Sequence, residues 1–152
     1  MGVVIGVVFA LSGAGAALAG GRQPTLDTGP YGYRVRPTSI YYTGDGSGVV
    51  GVLRSTSAGE SGPGRGFLSW KRWDPQGAYA VGTVWIKLGT PVATSPFTRF
   101  RVTLTATRVR HGYFTRMTLR YRLNGQSVTD TRCIPDQRKT AQWGLLFAGR
   151  CA

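Results

Sequence analysis

Between Phe97 and Leu123 the chain reads FTRFRVTLTATRVRHGYFTRMTLRYRL, and no other stretch narrows the fold as far. Successive side chains of a strand point to opposite faces. Phe100, Val102, Leu104 and Ala106 therefore fall on one face, and Arg99, Arg101, Thr103, Thr105 and Thr107 on the other. In the second half Tyr113, Thr115, Met117, Leu119, Tyr121 and Leu123 share a face, opposed by Arg116, Thr118, Arg120 and Arg122. This alternation predicts an antiparallel sheet with one side buried and one side wet.

The turn between the two halves is expected at His111-Gly112, because tight hairpin turns need positive φ, which Gly supplies freely and His tolerates. That turn pairs Ala106 with Met117, Leu104 with Leu119, Val102 with Tyr121 and Phe100 with Leu123. A slip of one residue would set each apolar side chain opposite an arginine or threonine, so burial selects the register. The same register sets Thr103 against Arg120, Thr105 against Thr118, and Arg101 against Arg122. Like charges placed directly opposite weaken a sheet. An anion between Arg101 and Arg122 would relieve that pair; the plainer alternative is that two exposed arginines splay into water.

The remaining segments extend the same pattern. Tyr31–Tyr42 is an expected strand, interrupted or placed at an edge by Pro37, with Val35 and Ile40 its candidates for burial. Val49–Leu53 is a short strand, residues 55–66 a loop, and Phe67–Trp73 another strand. Asp74-Pro75-Gln76-Gly77 has the residues of a type I turn. Ala78–Leu88 follows as a long strand with Ala78, Ala80, Gly82, Val84 and Ile86 on one side. Residues 89–96 lead into the central hairpin, Asn124-Gly125 signals a second tight turn into Gln126–Arg132, and Trp143–Ala148 reads as a last strand. The expected fold is all-β, an antiparallel β-sandwich of about seven or eight strands.

Residues 2–21 carry no charge and end in Ala17-Leu18-Ala19, the small-residue pattern of a signal-peptidase site. The expected organisation is a signal peptide at 1–19, a flexible leader at 20–30 and one sandwich domain at 31–152. An uncleaved membrane anchor is the rival for the first segment. The 152 residues carry 19 Lys+Arg against 6 Asp+Glu, a formal net charge of +13. Such a surplus attracts anionic polymers, wall phosphates or acidic headgroups. Nucleic acid is a poor candidate for an exported chain. The two cysteines, Cys133 and Cys151, are expected to form one disulfide in an oxidising compartment.

Catalytic chemistry finds little to work with. One His and two Cys offer too few ligands for a metal site, and no cofactor motif is present. The acids at 27, 45, 60, 74, 130 and 136 give no close pair for acid–base work, and Asp130 is expected to meet Arg108 or Arg132 in a structural ion pair. The expectation for function is thus a secreted, non-catalytic domain. Its anion-binding residues would be Arg99, Arg101, Arg116, Arg120 and Arg122, and its partner an anionic polymer of the cell envelope. The alternative is a carbohydrate-binding or protein-interaction module with an aromatic platform of Trp70, Trp73 and Trp85 beside Lys71, Arg72 and Lys87. Burial of these tryptophans in the core would exclude it.

A set of short motifs runs in order through this region. They are W-x-x-W (Trp70, Trp73), A-x-A-x-G-T (Ala78, Ala80, Gly82, Thr83), V-x-L (Val102, Leu104) and F-T-R-M-x-L-x-Y (Phe114 to Tyr121). Upstream, R-P-x-x-I precedes G-D-G-S between Arg36 and Ser47. In this order they resemble a group of small secreted actinobacterial proteins, and the resemblance implies a secreted β-rich domain and no particular activity. The Gly89-Thr90-Pro91 segment lacks the cysteine pair that such proteins often carry there, so the resemblance does not bear on a Cys133–Cys151 bond.

Overall fold

The computed structural model describes residues 22–29, 32–43, 46–53 and 65–134. The expected signal peptide, the expected strand at 143–148 and Cys151 lie outside the described residues. The chain forms β1 (Leu26–Asp27), β2 (Tyr33–Arg34), β3 (Ser39–Tyr41), β4 (Gly48–Gly51), β5 (Leu68–Asp74), β6 (Gly77–Lys87), β7 (Phe97–Arg110), β8 (Tyr113–Leu123) and β9 (Gln126–Cys133). A single 3₁₀ turn, Val92–Thr94, stands between β6 and β7.

The fold is all-β and antiparallel. Seven strands form one sheet in the order β3-β4-β6-β7-β8-β9, with β5 also paired to β6. Strand β7 occupies one side of β6 along residues 78–87. On the other side β5 pairs with the first part of β6 and β4 with its last residues. Strands β1 and β2 make a separate two-stranded sheet. Leu26 of β1 is fully buried within the same core as Leu104, Met117 and Leu119, so the small sheet covers the apolar face of the large one. Two layers over one core are consistent with a β-sandwich.

From Val102 to the turn the central hairpin has the register that its apolar residues select, whereas the expected Phe100–Leu123 pair is not formed. Val102 pairs with Tyr121, Leu104 with Leu119 and Ala106 with Met117, and both turns, His111-Gly112 and Asn124-Gly125, have positive φ at each residue. Val102, Leu104, Ala106, Met117 and Leu119 are all buried with Val84, Ala78 and Ala80 of β6. The alternation fails near the turn. Arg108 takes a φ of 59°, its carbonyl accepts the Thr115 hydroxyl, and Phe114 enters the core beside Met117. A side chain assigned to neither face by the simple pattern is thus completely buried.

Two other expectations are corrected, and the aromatic platform kept as the alternative is not formed. Residues 22–29 are not a flexible leader: Leu26, Asp27 and Thr28 are buried, and Thr25 pairs in parallel with Tyr113. Where β9 ends, this segment takes its place beside β8, with the Thr25 N–H donating to Gly112 O and Phe114 N–H donating to Thr25 O. Val35, expected to be buried, is 44% exposed, because the break at Pro37 separates β2 from β3, and it is Ile40, with Tyr42, that enters the core. The tryptophans, finally, are packing residues.

The W-x-x-W spacing would put its two indoles on opposite faces of a regular strand. Strand β5 instead carries an irregularity between Trp70 and Arg72, which re-phases it so that Trp70 opposes Ala80 and Trp73 opposes Ala78. Both rings then face the core, stacked edge-on with centroids 4.4 Å apart, and Trp73 also stacks edge-on against Phe114 at 5.3 Å. Their indole N–H groups donate to Pro37 O and Pro24 O. Trp85 points to the opposite face and is buried in a small cluster with Val49 and Leu53, donating to Gly51 O at 3.0 Å.

Candidate functional site

The wet face of the sheet is built by ladder pairs that carry its side chains in rows. One row runs Val81, Thr103, Arg120, Thr129 across β6, β7, β8 and β9. The next contains Thr83 and Arg101 on one side and Arg122 and Ser127 on the other. Between Arg101 and Arg122 the ladder is open: pairing of β7 with β8 stops at Val102–Tyr121. Beyond that point β7 continues beside β6 and β8 beside β9. The opening falls where the two like charges would have been forced together.

A shallow groove of ≈ 410 Å³ lies at this opening. Arg101, Arg120 and Arg122 line it with the hydroxyl residues Thr103, Tyr121, Ser127 and Thr129, and among the described residues no carboxylate borders it. The structure therefore gathers three of the five arginines singled out from the sequence. Arg99 lies further along β7 opposite Trp85, and Arg116 toward the hairpin turn opposite Thr107, on the same face but away from the groove. Arg99, Arg101, Arg120 and Arg122 are exposed and Arg116 is half-buried. Among the described residues none of the five is held in an ion pair or a side-chain hydrogen bond.

Among the described residues, Asp130 and Asp74 are engaged away from this face. Asp130 opposes Leu119, which puts it on the other side of the sheet, where it is bound to Arg132 at 2.8 Å. That is the structural ion pair expected from the sequence, with Arg132 rather than Arg108. Asp74 closes the β5–β6 turn, accepting from the Gln76 and Gly77 N–H groups and from Arg72. Hydrogen bonding to Arg72 holds the Asp74 carboxyl below its ordinary value. Burial, and then the charge of Asp130, push the Tyr121 phenol above its ordinary value, against the opposing effect of Arg132.

The alternative platform is not assembled. Trp73 and Trp85 are buried on opposite faces and Trp70 is packed against the core, so no pair of indoles is presented to solvent. His111 is exposed in its turn, with its ring 6.5 Å from that of Tyr113, and does not line the groove. Among the described residues no group of three or more His, Cys, Asp or Glu is placed to hold a metal ion. A second hollow of ≈ 340 Å³ is bordered by Arg34, Arg36, Thr38 and Ser39. Sequence reasoning missed it, and it missed the hydroxyls of the groove. The hydroxyls were legible in principle, since Thr103 was already set against Arg120, whereas Ser127 and Thr129 required the β8–β9 register.

Comparison with known protein families, characterised proteins and solved structures finds no match for this chain.

Proposed function

We propose that this chain is a secreted, non-catalytic domain that binds an anionic polymer of the cell envelope through the arginine face of its large sheet. The observation that carries this reading is the set Arg99, Arg101, Arg116, Arg120 and Arg122 on one face, with no acidic partner among the described residues. Unpaired guanidinium groups suit phosphate or carboxylate, which they grip through two parallel hydrogen bonds. The net charge of +13 adds long-range attraction that weakens as salt rises. Export fits both the uncharged N-terminal run and the resemblance to secreted actinobacterial proteins. A Cys133–Cys151 disulfide belongs to the same reading.

Retention on isolated cell walls and on heparin tests it. The protein should bind both at low ionic strength and elute as salt is added. The triple variant Arg101→Glu, Arg120→Glu, Arg122→Glu should be retained on neither. Undiminished retention of that variant would sink the reading.

A further inference from the structure

The arginines lie in file rather than in a patch. With Thr107 opposite Arg116, the positions of Arg99, Arg101 with Arg122, Arg120 and Arg116 succeed one another along the hairpin axis. At ~3.4 Å per residue this file is about 27 Å long, with steps of about 6.8 Å from Arg99 to Arg101 and on to Arg120, and about 14 Å from Arg120 to Arg116 across the Thr105–Thr118 pair. A linear polyanion with closely repeating charges matches such a file, whereas a compact multivalent anion would meet only part of it. The groove supplies the place where one charge is held. Among the described residues three arginines and four hydroxyl residues, Thr103, Tyr121, Ser127 and Thr129, border it without a carboxylate, a donor set that serves the several oxygens of a phosphate. Its apolar lining comes from Val81, Val102, Val128 and the ring of Tyr121, and among the described residues no indole borders it.

On these grounds we propose that the groove is a phosphodiester subsite and that the ligand is a poly(alditol phosphate) chain lying along the β7–β8 hairpin. This rests on the polymer-binding reading above and narrows it to one ligand chemistry. One phosphate sits over the open ladder between Arg101 and Arg122, where it separates the two like charges, and the short polyol spacers carry its neighbours toward Arg99 and Arg116. Thr103, Ser127 and Thr129 donate to the phosphate in the groove.

Titration calorimetry on the full secreted chain tests this with four probes: a synthetic poly(glycerol phosphate) oligomer, heparin, phosphatidylglycerol vesicles and inorganic phosphate. The oligomer should bind tightest per charge. Arg101→Gln with Arg122→Gln should weaken it by about tenfold or more, and Arg99→Gln with Arg116→Gln, which removes the same charge, by about threefold at most. Thr103→Val with Thr129→Val should weaken the oligomer several-fold and leave heparin unchanged. Equal losses from the two arginine pairs would overturn the groove while the anionic-face reading stood. Tighter binding of heparin or vesicles would overturn the phosphodiester assignment. Failure of the wild-type chain to bind any of the polyanions would remove the functional reading itself.

Discussion

Individual residues here are readable through what they touch. Trp85 alternates with the arginine face, and by that pattern alone it would be exposed; it is buried because Leu53 and Val49 reach it from a distant part of the chain. Phe114 is the reverse case, turned inward by a local backbone excursion at Arg108 that hydropathy does not record. Removing the indole donor by Trp85→Phe should leave the Gly51 carbonyl unsatisfied in a buried place and cost about 1–3 kcal/mol in denaturant titrations. Two glycines separate conformational strain from collision. Gly112 has a φ of 83° and open space where a Cβ would stand, so Gly112→Ala should cost about 1–2 kcal/mol. Gly51 also has positive φ, but a Cβ there would run into the Thr38 carbonyl oxygen, and Gly51→Ala should cost clearly more. Tyr121 makes a prediction in pH. Its phenol holds its proton more tightly in the folded chain, so its contribution is intact below the unfolded value of about 10 and is lost as pH rises through the raised folded value. Tyr121→Phe should therefore flatten the alkaline fall in stability, measured as the denaturant midpoint across that range.

At the scale of the element, the hairpin was the most legible part of the chain, because one face is buried and a shifted register would bury arginine. Its limit was legible only in part. The sequence set Arg101 against Arg122; the ladder stops one pair short of them, and the groove exists because it stops. Strand β5 shows why the aromatic platform could not be judged from spacing: one irregularity between Trp70 and Arg72 moves an indole to the other side of the sheet. The open ladder predicts an opposition between stability and binding. Arg122→Thr removes the repulsion across the gap and should stabilise the domain by about 0.2–1 kcal/mol at low salt, a gain that shrinks as ionic strength rises. The same variant should bind anionic polymer more weakly. Thermal melts and titrations on one preparation would read both effects, and a destabilised Arg122→Thr would show that the gap has another origin.

For the molecule as a whole, composition and alternation were enough for an all-β antiparallel fold, and the strand order of the large sheet follows largely from its hairpins. What they did not reveal was which segment supplies the second layer. The segment before β2 is short, polar and rich in turn residues, and nothing local marks it as covering; only the partners it meets do so. The exported form should begin at Gly20 and contain no titratable thiol, both readable in one intact-mass and alkylation experiment. The role of the covering segment reaches beyond packing. A chain shortened through Thr28 would lack the strand beside Tyr113, the acceptor of the Trp73 indole and the buried Leu26 of the core. Such trimming would show as a red shift in Trp73 emission, so the intact N-terminal edge works as a latch on the finished domain, and its loss would report spoilage before any binding assay is run.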